Sequence, residues 1–71
     1  MSREIPIRGQ TIRLGQLLKL AGLIDSGSDA KELLSAQVAL VNGQSETRRG
    51  RQLHPGDTVL IAGEELRVSA S

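Results

Sequence analysis

The sequence predicts an α+β fold, with two packed helices on one side of a small, mostly antiparallel sheet. Three observations predict it. Residues 14–24 carry apolar side chains at helical spacing, and a capping signal at Ser26 opens a second helical stretch. Residues 38–68 read as short strands broken by turn signals, and a short alternating segment precedes everything else. The 71 residues suffice for a single domain, residues 1–71, with one small core.

Glu4 to Arg8 alternates polar and apolar residues, with Ile5 and Ile7 on one side, and reads as a strand. Pro6 has no N–H to give a ladder, which puts that strand at a sheet edge. Gly9-Gln10 reads as a turn. Leu14, Leu17, Leu18, Ala21 and Ile24 form one helical stripe, starting at Thr11 or Arg13. Gly15 weakens the first turn by about 1 kcal/mol relative to Ala. Gly22 is placed to end the helix in the left-handed region. Ser26-Gly27-Ser28-Asp29 reads as a capping box with Asp in place of Glu. Ala30, Leu33 and Leu34 form the buried face of a short second helix that depends on packing.

Beyond it, Val38 to Val41 is a strand that runs into Asn42-Gly43, a hairpin signal because both positions tolerate positive φ. Gln44 to Thr47 returns as its partner, and Arg48 to Gln52 is a loop pivoting on Gly50. His54-Pro55-Gly56-Asp57 is a turn, Thr58 to Ala62 a strand, Gly63-Glu64 a second hairpin turn and Leu66 to Val68 a last strand. Ala70-Ser71 is expected to fray. The plan is strand, two helices, then a meander of four strands.

Composition narrows the function. Hydrophobic residues make up 38% and charged residues 24%, which suits a folded soluble domain. There is no Cys, which excludes disulfides, Cys-ligated zinc and thiol catalysis. There is no Phe, Tyr or Trp, so no base can stack on an aromatic ring. No apolar run approaches the roughly 20 residues of a membrane span. Met1-Ser2-Arg3-Glu4-Ile5-Pro6 lacks the apolar stretch of a signal peptide, so a cytoplasmic location is expected.

Catalytic arrangements are poorly supplied. The one His, His54, precedes Pro in a turn, and Asp57 three residues on offers it no water-excluding pocket. Glu64-Glu65 are adjacent residues of a hairpin and read as solvated. No glycine pattern matches a phosphate-binding fingerprint, and metal-ligand types are scattered. The expectation is a non-enzyme with no cofactor, metal or small-molecule substrate.

Net charge is +1, from 9 Lys+Arg against 8 Asp+Glu. Arg48, Arg49 and Arg51 fall within four residues, and without them the chain is net acidic. The positive charge is therefore local, the pattern suited to an anion. Each guanidinium is planar, always charged and able to grip a phosphate with paired N–H bonds. Arg13, Lys19 and Lys31 lie on the polar sides of the helices. If helices and loop share an edge, six cations line one groove.

The ordered set Ile12-Arg13-Leu14…Leu17-Leu18-Lys19, Ser26…Asp29-Ala30-Lys31…Leu33-Leu34, Val41-Asn42-Gly43 and Leu53…Pro55-Gly56-Asp57-Thr58-Val59 resembles the S4 RNA-binding domain over about residues 12–61. Glu46-Thr47-Arg48-Arg49-Gly50-Arg51 resembles its small stand-alone bacterial members. The resemblance implies an S4-like fold, the alpha-L motif, that binds structured RNA such as ribosomal RNA or tRNA. It also allows an accessory role in ribosome assembly or RNA metabolism. The RNA-binding residues it implies, joined with the arginine loop, are Arg13, Lys19, Ser26, Lys31, Arg48, Arg49 and Arg51. Gly27 stands where the family motif has Arg, leaving Ser26 and backbone N–H groups to face a phosphate there. Gln37 and Ala39 stand where the family has Gly and Val.

The rival expectation is a protein-interaction module. It would use the strand edge at Ile5 to Ile7, or Val38 and Leu40, with the arginine loop meeting an acidic partner. A monomer is expected in either case.

Overall fold

Alternating Ile, Leu and Val on the strands and the Leu14–Leu17–Leu18 stripe bury one common core, described for residues 2–71 in a computed structural model. Its elements are β1 (Ser2–Ile7), β2 (Ile12–Arg13), α1 (Leu14–Leu20), α2 (Gly27–Ala36), β3 (Ala39–Val41), β4 (Gln44–Glu46), β5 (Gln52–Leu53), β6 (Thr58–Ile61) and β7 (Glu64–Ala70). Five strands form one sheet in the order β1-β7-β6-β3-β4, parallel between β1 and β7 and antiparallel elsewhere. The helices and the sheet share the core, giving the expected α+β layering. Leu14, Leu17, Leu18, Leu53 and Leu66 are fully buried, each contributing about 1.5–3 kcal/mol of transfer free energy.

The edge position of the first strand follows from Pro6: β1 pairs only with β7. The second helix starts at Ser26 as expected. The Ser26 Oγ accepts from the Asp29 N–H, and Asp29 Oδ2 accepts from the Ser26 N–H at 3.2 Å.

Five local expectations are corrected. The apolar stripe outruns the first helix: the helix ends at Leu20, the chain turns through Gly22 at φ 79° as expected, and Ile24 lies beyond it. Ala21 and Ile24 stay buried from the connection instead. The later strands are not a sequential meander: β4 pairs only with β3, and β6 joins the other side of β3. The chain between them leaves to form β5, which pairs with β2 as Ile12↔Leu53 and Arg13↔Gln52. Two-residue strands carry no periodicity, so neither shows in the sequence. The second hairpin turns at Ala62-Gly63 (φ 52° and 78°), not Gly63-Glu64. Ala70 does not fray: it pairs with Ile7, and the Ser71 N–H donates to the Ile7 carbonyl at 3.2 Å. Val38 lies outside the strand and is 64% exposed.

The Asn42-Gly43 turn has both residues at positive φ, 51° and 85°. It is held to the next turn by side chains. Asn42 Nδ2 donates to Asp57 Oδ1 at 3.1 Å, the Thr58 N–H donates to Asn42 Oδ1 at 3.0 Å, and the His54 N–H donates to Asp57 Oδ2 at 2.7 Å.

Candidate nucleic-acid interface

The arginine loop leaves β4 at Glu46, turns at Arg49-Gly50 and re-enters at β5. Its backbone caps α1: the Leu14 N–H donates to the Arg51 carbonyl at 2.8 Å and the Gly15 N–H to the Arg49 carbonyl at 2.9 Å. These bonds satisfy two of the helix's orphan donors. They also fix the loop against the helix start. A Cβ at Gly15 would lie 3.4 Å from Arg49 Cβ and 3.5 Å from Ala30 Cβ. Those are ordinary contact distances, so Gly15 marks the point where α1, α2 and the loop come together.

Where they meet there is an open groove of about 510 Å³. Arg13, Gln16 and Lys19 line it from α1 and its cap, Ser26 and Gly27 from the start of α2, and Arg49 and Gly50 from the loop. Arg49 Nη1 donates to the Gly27 carbonyl at 3.1 Å, tying the loop to α2. Arg13, Lys19 and Arg49 have no carboxylate partner among the described residues. Ser26 is engaged in its own cap at the groove's rim.

The other expected cations lie elsewhere. Arg48 and Arg51 turn onto Glu46, the one buried charged residue in the described chain. Arg48 Nε and Nη2 donate to Glu46 Oε2 and Oε1 at 3.1 and 3.2 Å, and Arg51 Nη1 donates to Oε1 at 3.0 Å. The backbone N–H groups of Thr47 and Arg48 also donate to Oε2, each at 3.1 Å. The Arg48 side chain, with its backbone N–H and Arg51 adding to the effect, holds the Glu46 carboxyl down at about 2, against an ordinary 4.5. Even so paired, the Arg48 side chain remains 74% exposed. Lys31 lines a separate hollow with Ser28, Glu32 and Ser35, which Arg49 also borders. The single six-cation groove is thus replaced by three cations in one groove, Lys31 beyond Arg49, and two arginines held by a carboxylate.

In the sequence Glu46 stands out only as the first residue of the family-like segment that carries the arginines. The available signal was its spacing, two residues before Arg48 and five before Arg51 across a loop that folds back. His54 stays in its turn, with Nδ1 3.7 Å from Asp57 Oδ2. No helix among the described residues is long and apolar enough to cross a membrane.

Comparison with known proteins agrees with this architecture. A sequence model described as S4 domain matches residues 5–69, so the likeness extends past residues 12–61 to β1 and β7. A protein of Bacillus subtilis named probable ribosome maturation protein RlbA is 49% identical over 63 residues, covering 89% of each chain. A protein of Escherichia coli named putative RNA-binding protein YbcJ is 37% identical over 59 residues, covering 83% of this chain and 84% of its own. With its two helices, mostly antiparallel sheet and near full-length match, the chain belongs to the S4 domain family.

Proposed function

We propose that this protein is a non-catalytic RNA-binding module that recognises structured RNA through phosphate contacts. Ribosomal RNA during ribosome maturation is the target class we favour. The observation that carries the reading is the groove in which Arg13, Lys19 and Arg49 meet without a carboxylate partner among the described residues. Three cations carried by a helix, its cap and a loop suit a ribose–phosphate chain passing between them. Arg48 and Lys31 flank that path, Ser26 and Gly27 sit at its rim, and Arg51 acts by holding the loop. With no aromatic ring in the chain, readout rests on shape and backbone rather than on ring-stacked bases. The names of the two relatives, a ribosome maturation protein and an RNA-binding protein, support the same direction.

The test is titration of a fluorescent RNA hairpin with the wild type and with the triple variant Arg13→Ala, Lys19→Ala, Arg49→Ala. Loss of three phosphate contacts should weaken binding about a hundredfold, and equally for hairpins of unrelated sequence. Unchanged affinity, or a loss confined to one sequence, rejects the phosphate reading.

One observation favours a second reading, protein contact through the outward sheet face. Leu40 and Leu60 are direct cross-strand neighbours there, Leu60 is 43% exposed, and Val38 precedes the same strand. Partners retained from extract after nuclease treatment, and lost in Leu60→Ser, would support it.

A further inference from the structure

We infer that a second groove, beside the first, holds an unpaired nucleotide next to the structured RNA; this rests on the RNA-binding reading. The groove measures about 900 Å³. Pro6, Ile7 and Arg8 at the end of β1 form one wall, Thr11 and Ile12 the floor toward β2, and Gln16, Lys19 and Leu20 of α1 the other wall.

Three features separate it from an ordinary surface hollow. Gln16 and Lys19 line both grooves, so a chain crossing the first runs on into the second. Its charged lining is Arg8 and Lys19 alone, with no carboxylate, and neither has an ion-pair partner among the described residues. Leu20 is 59% exposed although it follows the fully buried Leu17 and Leu18. The core makes little use of Leu20, which with the exposed Pro6 forms an aliphatic shelf beside the two cations.

A phosphate between two cations next to an apolar shelf describes one nucleotide with its base turned out. In a duplex, both faces of a base are covered by stacking, so the shelf has nothing to cover. An unpaired base can lay a face on Leu20 while Arg8 and Lys19 hold its phosphate. Gln16 Oε1 accepts from the Arg13 N–H at 3.2 Å, which leaves its amide N–H groups to donate to a base edge or 2′-hydroxyl. The Thr11 hydroxyl supplies a further donor and acceptor.

The experiment compares two RNA probes, a blunt hairpin and the same hairpin carrying a short single-stranded uridine extension. For the wild type the extension should tighten binding about fivefold, the order expected when one more phosphate is paired and a base face is laid on an aliphatic side chain. Leu20→Ser and Arg8→Ala should each abolish that gain and leave blunt-hairpin affinity within about twofold, since the first groove is untouched. Both positions are exposed, and circular dichroism checks that both variants fold. An extension without effect, or variants that weaken both probes alike, overturns the subsite while the RNA reading stands. If the wild type binds neither probe, the RNA reading itself fails and the subsite falls with it.

Discussion

Asp57 and Glu46 are both carboxylates that accept backbone N–H groups near the ends of short strands, and they deal with charge differently. Asp57 receives the His54 N–H and the Asn42 amide, so the two hydrogen bonds that close its turn come from neutral donors. Glu46 receives two backbone N–H groups and also the guanidinium groups of Arg48 and Arg51. One region therefore locks two turns at no cost in cationic surface. The other builds the arginine loop by neutralising part of it. Arg49, between the two paired arginines, is left facing the groove. The motif residues Asn42, Gly43, Gly56 and Asp57 thus belong to the region that shapes the fold. The proposed RNA contacts lie mostly outside it.

If that division is real, the two carboxylates fail differently. The larger effect is expected at Asp57. Asp57→Ala removes the acceptor of the His54 N–H and the Asn42 amide and should cost about 2–3 kcal/mol, lowering Tm by roughly 10–20 °C in a domain of this size. Hairpin affinity, measured where the variant is still folded, should stay within about twofold of wild type. A variant that keeps its Tm but loses RNA binding breaks the comparison.

The next effect is at Glu46 and depends on pH. Its carboxyl titrates at about 2 in the fold against an ordinary 4.5. A group held below its unfolded value stabilises the fold above that value, and the contribution is lost as pH falls from 4.5 toward 2. Arg48 is exposed and solvent-screened, so the contribution is about 1–2 kcal/mol. Glu46→Gln should lower the unfolding free energy at neutral pH by that amount and flatten the acid limb of Tm against pH. Removing one negative charge from the loop should also tighten RNA binding severalfold at low salt. An acid limb as steep in Glu46→Gln as in wild type sharpens the account against Glu46 and toward other carboxylates.

Much of the fold was readable because its signals are local. Ser26 and Asp29 announce a helix start, Asn42-Gly43 a hairpin, and Pro6 an edge strand, each within a few residues. The separate pairing of Ile12-Arg13 with Gln52-Leu53 joins segments some forty residues apart and leaves no periodic trace. For the same reason the strand order defeats a sequential reading: β6 returns to β3 past a strand that pairs elsewhere. At the candidate site, the cations themselves were legible as residue types. Their sorting was not, because it depends on where Glu46 lies relative to Arg51 after the loop folds. Gly15 reads as a weak helix former and acts as a contact point. Arg8 and Leu20 gain meaning only when the end of β1 comes beside α1.

The central claim is that unneutralised cations in the groove, Arg49 foremost, take RNA phosphates. The direct measurement is the association constant for a hairpin RNA against salt, for wild type and Arg49→Ala in parallel. With about three to five contacts, log K against log salt should fall with a slope near −2 to −3.5, and Arg49→Ala should be shallower by about 0.7. The substitution keeps the Cβ beside Gly15 and loses one exposed hydrogen bond to the Gly27 carbonyl, so stability should change by no more than about 1 kcal/mol. A wild-type slope near zero, or identical slopes for the two proteins, contradicts the account.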